Sequence, residues 1–373
     1  MAWLGTWADR IAIRIDHEKI SAALTHFAVP LHISASCGIS SYDATAVFDA
    51  LGANKLKIAV TQADGTTQLY VDVADWDDGA EEAWLWASIA GWVISSTVDT
   101  IIYLYYDSGQ ADNSTYVSVS GAAPAQSVWA TGYYLADHMN DGVSTSVTVD
   151  SSANNADGAK LAAASPIQGV GKVGKCQVFN QANWIDYGEN FNYGNPSSMS
   201  CWFKCGGDYS TIQILMQQMY YEGSAANAGS IMYFGVTDGE FLYRTYNNAT
   251  RSLTSSIALG DDDWHHIVLA HPADDLDMYI YVDGEFDVTL ATSSAAYGVA
   301  NNRGIVGARY AESVGSIDYP FLGSIDEARM AELGFTAAYA KAEYNGGMDT
   351  LVTFGAIRVP RHGFTMFQDP GIV

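Results

Sequence analysis

The sequence has 373 residues and carries 17 basic against 42 acidic side chains, a formal net charge of −25. A surface this acidic repels phosphate backbones and anionic lipid, so nucleic acid and membrane surfaces are not expected partners, while its spare carboxylates suit a hard cation such as Ca2+. Only 16% of residues are charged, yet 23 are Tyr and 10 are Trp, which is the composition of strands rather than helical bundles. The length exceeds one ordinary core, so an all-β chain of two domains is expected.

The opening residues, Met1-Ala2-Trp3-Leu4-Gly5-Thr6-Trp7, have neither the basic nor the apolar region of a secretory leader. That favours assembly in a host cytoplasm, as for a phage virion, over the alternative of an extracellular or cell-surface protein. No run reaches the roughly 18 apolar residues of a spanning helix, so no membrane insertion is expected. Arg10-Ile11-Ala12-Ile13-Arg14-Ile15-Asp16 alternates with period two and predicts a half-buried strand. Lys55 to Val60, Leu69 to Val73, Ala83 to Ala87 and Thr100 to Tyr106 predict further strands, with a glycine turn at Ala63-Asp64-Gly65-Thr66. Five strands in so short a stretch predict a β-sandwich over 1–110.

Ser, Gly, Ala, Asn and Pro then dominate 111–127, which reads as a linker. From residue 128 short strands recur, among them Met199 to Lys204, with turns at Thr237-Asp238-Gly239-Glu240 and Val282-Asp283-Gly284-Glu285. A helical period is sustained only from Phe335 to Tyr344, and Asn345-Gly346-Gly347 is expected to stop that helix. The remaining 347–373, with Pro360 and Pro370, reads as a docking strand or C-terminal arm.

Two segments resemble known families. Trp7-Ala8-Asp9-Arg10-Ile11-Ala12-Ile13, Leu24-Thr25-His26-Phe27-Ala28-Val29-Pro30, Trp84-Leu85-Trp86 and Ile102-Tyr103-Leu104-Tyr105-Tyr106 resemble a β-sandwich domain of unknown function common in bacterial and phage proteins. Departures fall at Asp9, where that family favours an aromatic, and at Asp107, where it favours glycine. Over 128–346 the ordered set Val128-Trp129, Asp150-Ser151-Ser152, Met199-Ser200-Cys201-Trp202-Phe203, Asp263-Trp264-His265-His266-Ile267-Val268-Leu269, Met278-Tyr279-Ile280-Tyr281-Val282-Asp283-Gly284 and Phe321-Leu322-Gly323-Ser324-Ile325-Asp326-Glu327-Ala328-Arg329 resembles the laminin-G-like, concanavalin A-like lectin (glucanase) jelly roll. The resemblance implies a jelly roll and a carbohydrate-facing, adhesin-type role. It also implies that Asp137, Asp150 and Asp326 lie where similar domains supply calcium ligands, with Asn154 and Asp157 offering further oxygens.

Candidate chemistry is sparse. Cys37, Cys176, Cys201 and Cys205 lack the paired spacing of a zinc site and read as buried free thiols. His265 and His266 are adjacent on a strand and face opposite sides, so they read as structural residues bonded to backbone carbonyls rather than as metal ligands. Glu285 and Asp287 share a strand face at a Cα spacing of about 6.6 Å and are the nearest approach to a glycosidase pair, but Val288, Thr289 and Leu290 stand where related hydrolases place a third acid. For sugar stacking the available aromatics include Trp184, Tyr187, Tyr220 and Tyr243, with Tyr193, Tyr221, Tyr246, Asn183, Asn190 and Asn247 nearby.

The sequence therefore predicts a non-enzymatic virion structural protein of tail, baseplate or decoration type, homo-oligomeric, that binds a cell-surface glycan or other virion subunits, with calcium as its candidate cofactor. A bacterial surface or secreted adhesin and a polysaccharide hydrolase are the alternatives.

Overall fold

The computed structural model describes residues 2–142, 145–161, 165–189, 191–193, 196–207, 211–222, 225–234, 240–247, 250–272, 277–291, 299–311 and 316–358. The predicted turn at 237–239 and the last part of the predicted arm, 359–373, lie outside them. Among the described residues the regular structure is almost all strand, with short helices at Ala46–Leu51, Ala123–Gln126 and Ala337–Gly347, as the composition and the repeated period-two segments require.

The N-terminal sheet runs in the order Val352–Arg358, Asp9–Ile15, Thr100–Tyr106, Ile58–Gln62, Gln68–Asp77, Glu82–Ser88, Val29–Ile33. Gln68–Asp77 pairs with Ile58–Gln62 only through Gln68 and Leu69 and with Glu82–Ser88 along the rest of its length. The two halves of the sheet thereby turn on one another across a shared core: Ile11, Ile13, Val60 and Leu104 from one half meet Leu31, Val71, Val73 and Leu85 from the other. Burying these side chains is the sandwich's main source of stability, at roughly 1.5–3 kcal/mol for each large aliphatic group.

Two segments read from composition alone take defined places. Within 111–127, Val117–Val119 pairs in parallel with Gln68–Asp77, and the Asn113 amide donates to the Ile58 carbonyl, so this stretch is ordered and not a free tether. Val352–Arg358 pairs antiparallel with Asp9–Ile15, burying Val352 and Phe354. The chain's C-terminal part thus completes its N-terminal sandwich.

The remaining strands form a jelly roll of two sheets. The central sheet is ordered Ile167–Val170, Lys175–Asn180, Leu322–Ala331, Ser197–Cys205, Trp264–His271, Met278–Val282, Glu285–Leu290, with Tyr133–Asp137 also on Leu322–Ala331. The distal sheet is ordered Val147–Thr148, Gly158–Lys160, Ile185–Asp186, Val299–Val306, Gln213–Glu222, Ala225–Phe234, Glu240–Asn247, Thr250–Ala258. Alternation decides which face goes where. Met199, Cys201, Phe203, Ile267, Leu269 and Ile280 face the distal sheet, while Trp202, Val268, Ala270 and Tyr281 face the N-terminal sandwich. The central sheet is consequently buried on both faces, and Trp84 and Trp86 from the sandwich supply the opposing aromatic layer.

The helix Ala337–Gly347 wedges into this layer, with Ala338 and Ala342 on the sandwich core and Phe335 and Ala340 on the interface. It was expected to stop at its glycines; instead they belong to its last turn. A Cβ at Gly346 would lie 2.3 Å from Pro30 Cγ, and one at Gly347 would lie 2.6 Å from Trp202 Nε1. These glycines permit close approach on both sides of the helix rather than a left-handed cap.

Candidate functional site

On the outer face of the distal sheet lies an open groove of about 500 Å³ lined by Gln181, Ala182, Trp184, Asp186, Arg303, Tyr310, Ile317 and Pro320. The strand phase explains its lining. Ile185 and Val306 point into the jelly-roll core, and a Cβ on Gly304 would meet the core ring of Phe191, so their neighbours Asp186 and Arg303 turn outward. The hairpin formed by Arg309–Ala311 and Ser316–Asp318 adds Tyr310 and Ile317. It is tied to the sheet by Gln217, whose Oε1 accepts from the Tyr310 N–H at 3.0 Å and whose Nε2 donates to the Tyr310 carbonyl at 3.3 Å.

Arg303 is held in a fixed orientation. Its Nε and Nη2 donate to the two Asp186 oxygens at 3.1 and 2.5 Å, Nη1 reaches Glu189 at 3.4 Å, and its Cζ sits 4.2 Å above the Tyr310 ring centre. Asp186 is itself anchored by the Gly188 N–H at 2.9 Å. Hydrogen bonding to Asp186 raises the guanidinium pKa further. An aromatic plane, a fixed planar donor set and the Gln181 amide thus converge on one open groove, the combination by which apolar ring faces and hydroxyl groups are recognised together.

Of the four aromatics singled out from sequence, Trp184 lines this groove. Tyr187, three positions on, does not: it is 2% exposed and its hydroxyl donates to Asp137 Oδ2 at 2.8 Å, which makes it a core residue and corrects its assignment as a ligand contact. Tyr220 and Tyr243 sit in the strands Gln213–Glu222 and Glu240–Asn247, and their side chains lie outside the described residues. Arg303, Asp186 and Tyr310 were missed, since only the fold unites 184–186 with 303–310. A Trp-x-Asp stretch with alternate residues facing outward was the one available signal.

The three predicted calcium ligands do not form a cation site. Asp150 accepts four hydrogen bonds, from the Ala136, Ser152 and Ala156 N–H groups and the Ser152 hydroxyl, at 2.8–2.9 Å. Asp137 accepts from the Met139 N–H and the Tyr187 hydroxyl, and burial raises its carboxyl to about 6 despite these bonds. Asp326 Oδ2 accepts from the N–H groups of Lys172 and Val173 at 2.8 Å, and burial raises it well above the ordinary carboxylate range. The hydrogen-bonded oxygens face N–H and O–H donors, which leaves only the buried Asp326 Oδ1 without a hydrogen bond, and one carboxylate oxygen does not supply the several ligands calcium takes. Among the described residues the only close group of three potential ligands is Asp16, His17 and Asp99, where Arg14 already pairs with Asp99 at 3.3 Å.

The histidine pair is structural, though its partners are carboxylates and not carbonyls. His265 bonds to Asp283 at 2.8 Å and Asp261 at 3.0 Å, and Asp283 Oδ1 accepts from the His266 N–H at 2.8 Å. Glu285 and Asp287 do not form a working pair: Glu285 projects into solvent near Lys341, while Asp287 accepts from the Ser256 N–H. All four cysteines are buried, and no disulfide joins them.

One further cluster has the residue types of an acid–base site. Between sandwich and jelly roll, His138 bonds to Asp72 at 3.0 Å and Glu327 at 2.9 Å, Glu327 pairs with Arg329, and Arg329 lies 4.5 Å from the Trp129 ring centre. His138 is 4% exposed and capped by Trp86 at 4.2 Å. The adjoining cavity of about 20 Å³ has room for one water and none for a substrate. This cluster holds the two halves together.

Residues 180–338 match the family model described as the concanavalin A-like lectin/glucanases superfamily, a span that contains the whole described groove lining. No curated protein matches the sequence. Solved structures similar to it include domain 4 of AbnA, an extracellular GH43 arabinanase from Geobacillus stearothermophilus, in complex with arabinotriose (19% identity, 57% of this chain and 96% of that one, TM-score 0.45). A SAP-like pentraxin from Limulus polyphemus is also similar (12% identity, 42% and 73% coverage, TM-score 0.36), as is a Ruminococcus gnavus sialidase CBM40 bound to α2,3 sialyllactose (14% identity, 43% and 96% coverage, TM-score 0.36).

Proposed function

We propose that this chain is a non-catalytic carbohydrate-binding protein whose jelly roll takes a neutral glycan in the groove built on Trp184, Tyr310 and the Asp186–Arg303 pair. The observation that carries this reading is the groove itself, an aromatic ring beside fixed hydrogen-bonding groups on a lectin/glucanase-type fold. Charge supports a neutral ligand: Arg303 is already neutralised by Asp186 and Glu189, and a net charge of −25 repels anionic sugars. Non-catalytic binding is favoured because the groove lining contains a single carboxylate, Asp186, locked to Arg303, where hydrolysis needs two, about 5–10 Å apart. Display on a phage particle assembled in a host cytoplasm is the setting we favour, because four buried cysteines that form no disulfide suit folding in a reducing compartment.

A glycan array probed with the wild-type chain, with Trp184→Ala and with chelator present tests the proposal. Binding to neutral polysaccharide that survives chelator and falls at least about tenfold in Trp184→Ala, the loss of one aromatic contact, is the expected result. Equal binding by the variant, or release of reducing sugar from the bound glycan, contradicts it.

A further inference from the structure

Away from the groove, three side chains from separate segments meet in a buried site between the two sheets of the jelly roll. Lys160 ends the distal-sheet strand Gly158–Lys160, Gln177 lies in the central-sheet strand Lys175–Asn180, and Asp141 is in the loop after Tyr133–Asp137. The Lys160 and Asp141 side chains are 0% and 1% exposed, and Gln177 is fully buried. Lys160 Nζ is 2.8 Å from Asp141 Oδ2 and 3.1 Å from Gln177 Oε1, while Gln177 Nε2 donates to Asp141 Oδ1 at 2.6 Å. The amide is also fixed by a 2.8 Å bond from Nε2 to the Met139 carbonyl. A primary amine thus lies against a carboxamide, and one carboxylate contacts both.

We propose that Lys160 and Gln177 form an intramolecular isopeptide bond, with Asp141 carrying the protons. In this reaction one proton passes across the 2.8 Å contact from Nζ to Asp141 Oδ2, an oxygen that also accepts from the Thr145 hydroxyl at 2.7 Å. The freed Nζ lone pair adds to Cδ of Gln177, and the carbonyl electron pair moves onto Oε1. Asp141 delivers the proton it took to Nε2 and then accepts the extra proton that Nζ sheds, so that the carboxyl ends protonated. As the carbonyl re-forms, the Cδ–Nε2 bond breaks with its electron pair on nitrogen, and ammonia leaves. Amine and carboxamide give a secondary amide and ammonia, and no oxidant, reductant or cofactor takes part. The fold favours the reaction by holding Nζ 3.1 Å from Oε1 of the carboxamide it would attack, with both side chains buried. The product ties the distal sheet to the central sheet in a chain that forms no disulfide.

Intact-mass measurement of the full-length protein, followed by peptide mapping, decides the matter. Loss of ammonia by lysine attack predicts a mass about 17 Da below that of the sequence, and a branched peptide joining Lys160 to Gln177. Asp141→Asn and Lys160→Arg are expected to restore the full mass. The wild-type reading stands alone should either variant fail to fold. An unmodified wild-type mass overturns the proposal, as does a loss of about 18 Da from condensation of the ion-paired amine with Asp141 instead.

Discussion

Trp184 and Tyr187 show how far a residue's role can be read before the fold is known. Both were marked as aromatics suited to sugar stacking, yet one lines the groove and the other is buried on Asp137. The difference lies in a short strand, Ile185–Asp186, too brief for its phase to be read from alternation. Asp137, Asp150 and Asp326 were expected to ligate calcium, but each accepts from backbone N–H groups instead, and that geometry leaves no mark in sequence. Gly347 provides a direct check at this scale. A methyl there would meet the Trp202 indole, so Gly347→Ala is expected to cost about 1–3 kcal/mol by overpacking, seen as a lower denaturant midpoint. An unchanged midpoint would show that the helix has room to shift.

At the scale of elements, period-two patterns located most of the N-terminal strands, since half-buried strands alternate visibly. Thr100–Tyr106 was delimited to the residue and Glu82–Ser88 to within one. The hairpin at Asp283-Gly284 was also legible, because both residues adopt the left-handed conformation that this pair tolerates. What it contributes beyond the turn was not: Asp283 bonds to the His265 ring and the His266 backbone. Asp283→Ala leaves these partners without their acceptor and is expected to lower stability by about 1–3 kcal/mol, readable by thermal melting, with Asp283→Asn recovering part of it. The last strand, Val352–Arg358, was read only as an arm, because short segments declare a pairing partner by fold and not by composition. Truncation after Gly347 removes Val352 and Phe354 from the sandwich core and is expected to leave the N-terminal half protease-sensitive. A protease-resistant truncated chain would mean that this strand is dispensable.

For the whole molecule, sandwich, central sheet and distal sheet stack as successive layers, and the charged cluster at the first junction makes their attachment sensitive to pH. Burial disfavours the His138 imidazolium, but Glu327 and Asp72 outweigh that penalty and raise its pKa from 6.5 to about 9. Arg329, beside Glu327, is the other charge in the cluster. A raised folded-state pKa means that the stabilisation is fully present below about 6.5 and is lost as pH climbs through about 9. The melting temperature is therefore expected to fall between those limits, and His138→Gln to flatten that slope while lowering stability near neutral pH. A variant with the wild-type slope would place the sensitivity elsewhere.

A crystal structure of the full chain with the neutral oligosaccharide ranked highest on the array tests the central claim most directly. The groove predicts a sugar ring stacked on Trp184, with hydroxyls on Gln181, Asp186 or Arg303. A ligand seated on another surface, with the groove holding only solvent, would contradict it.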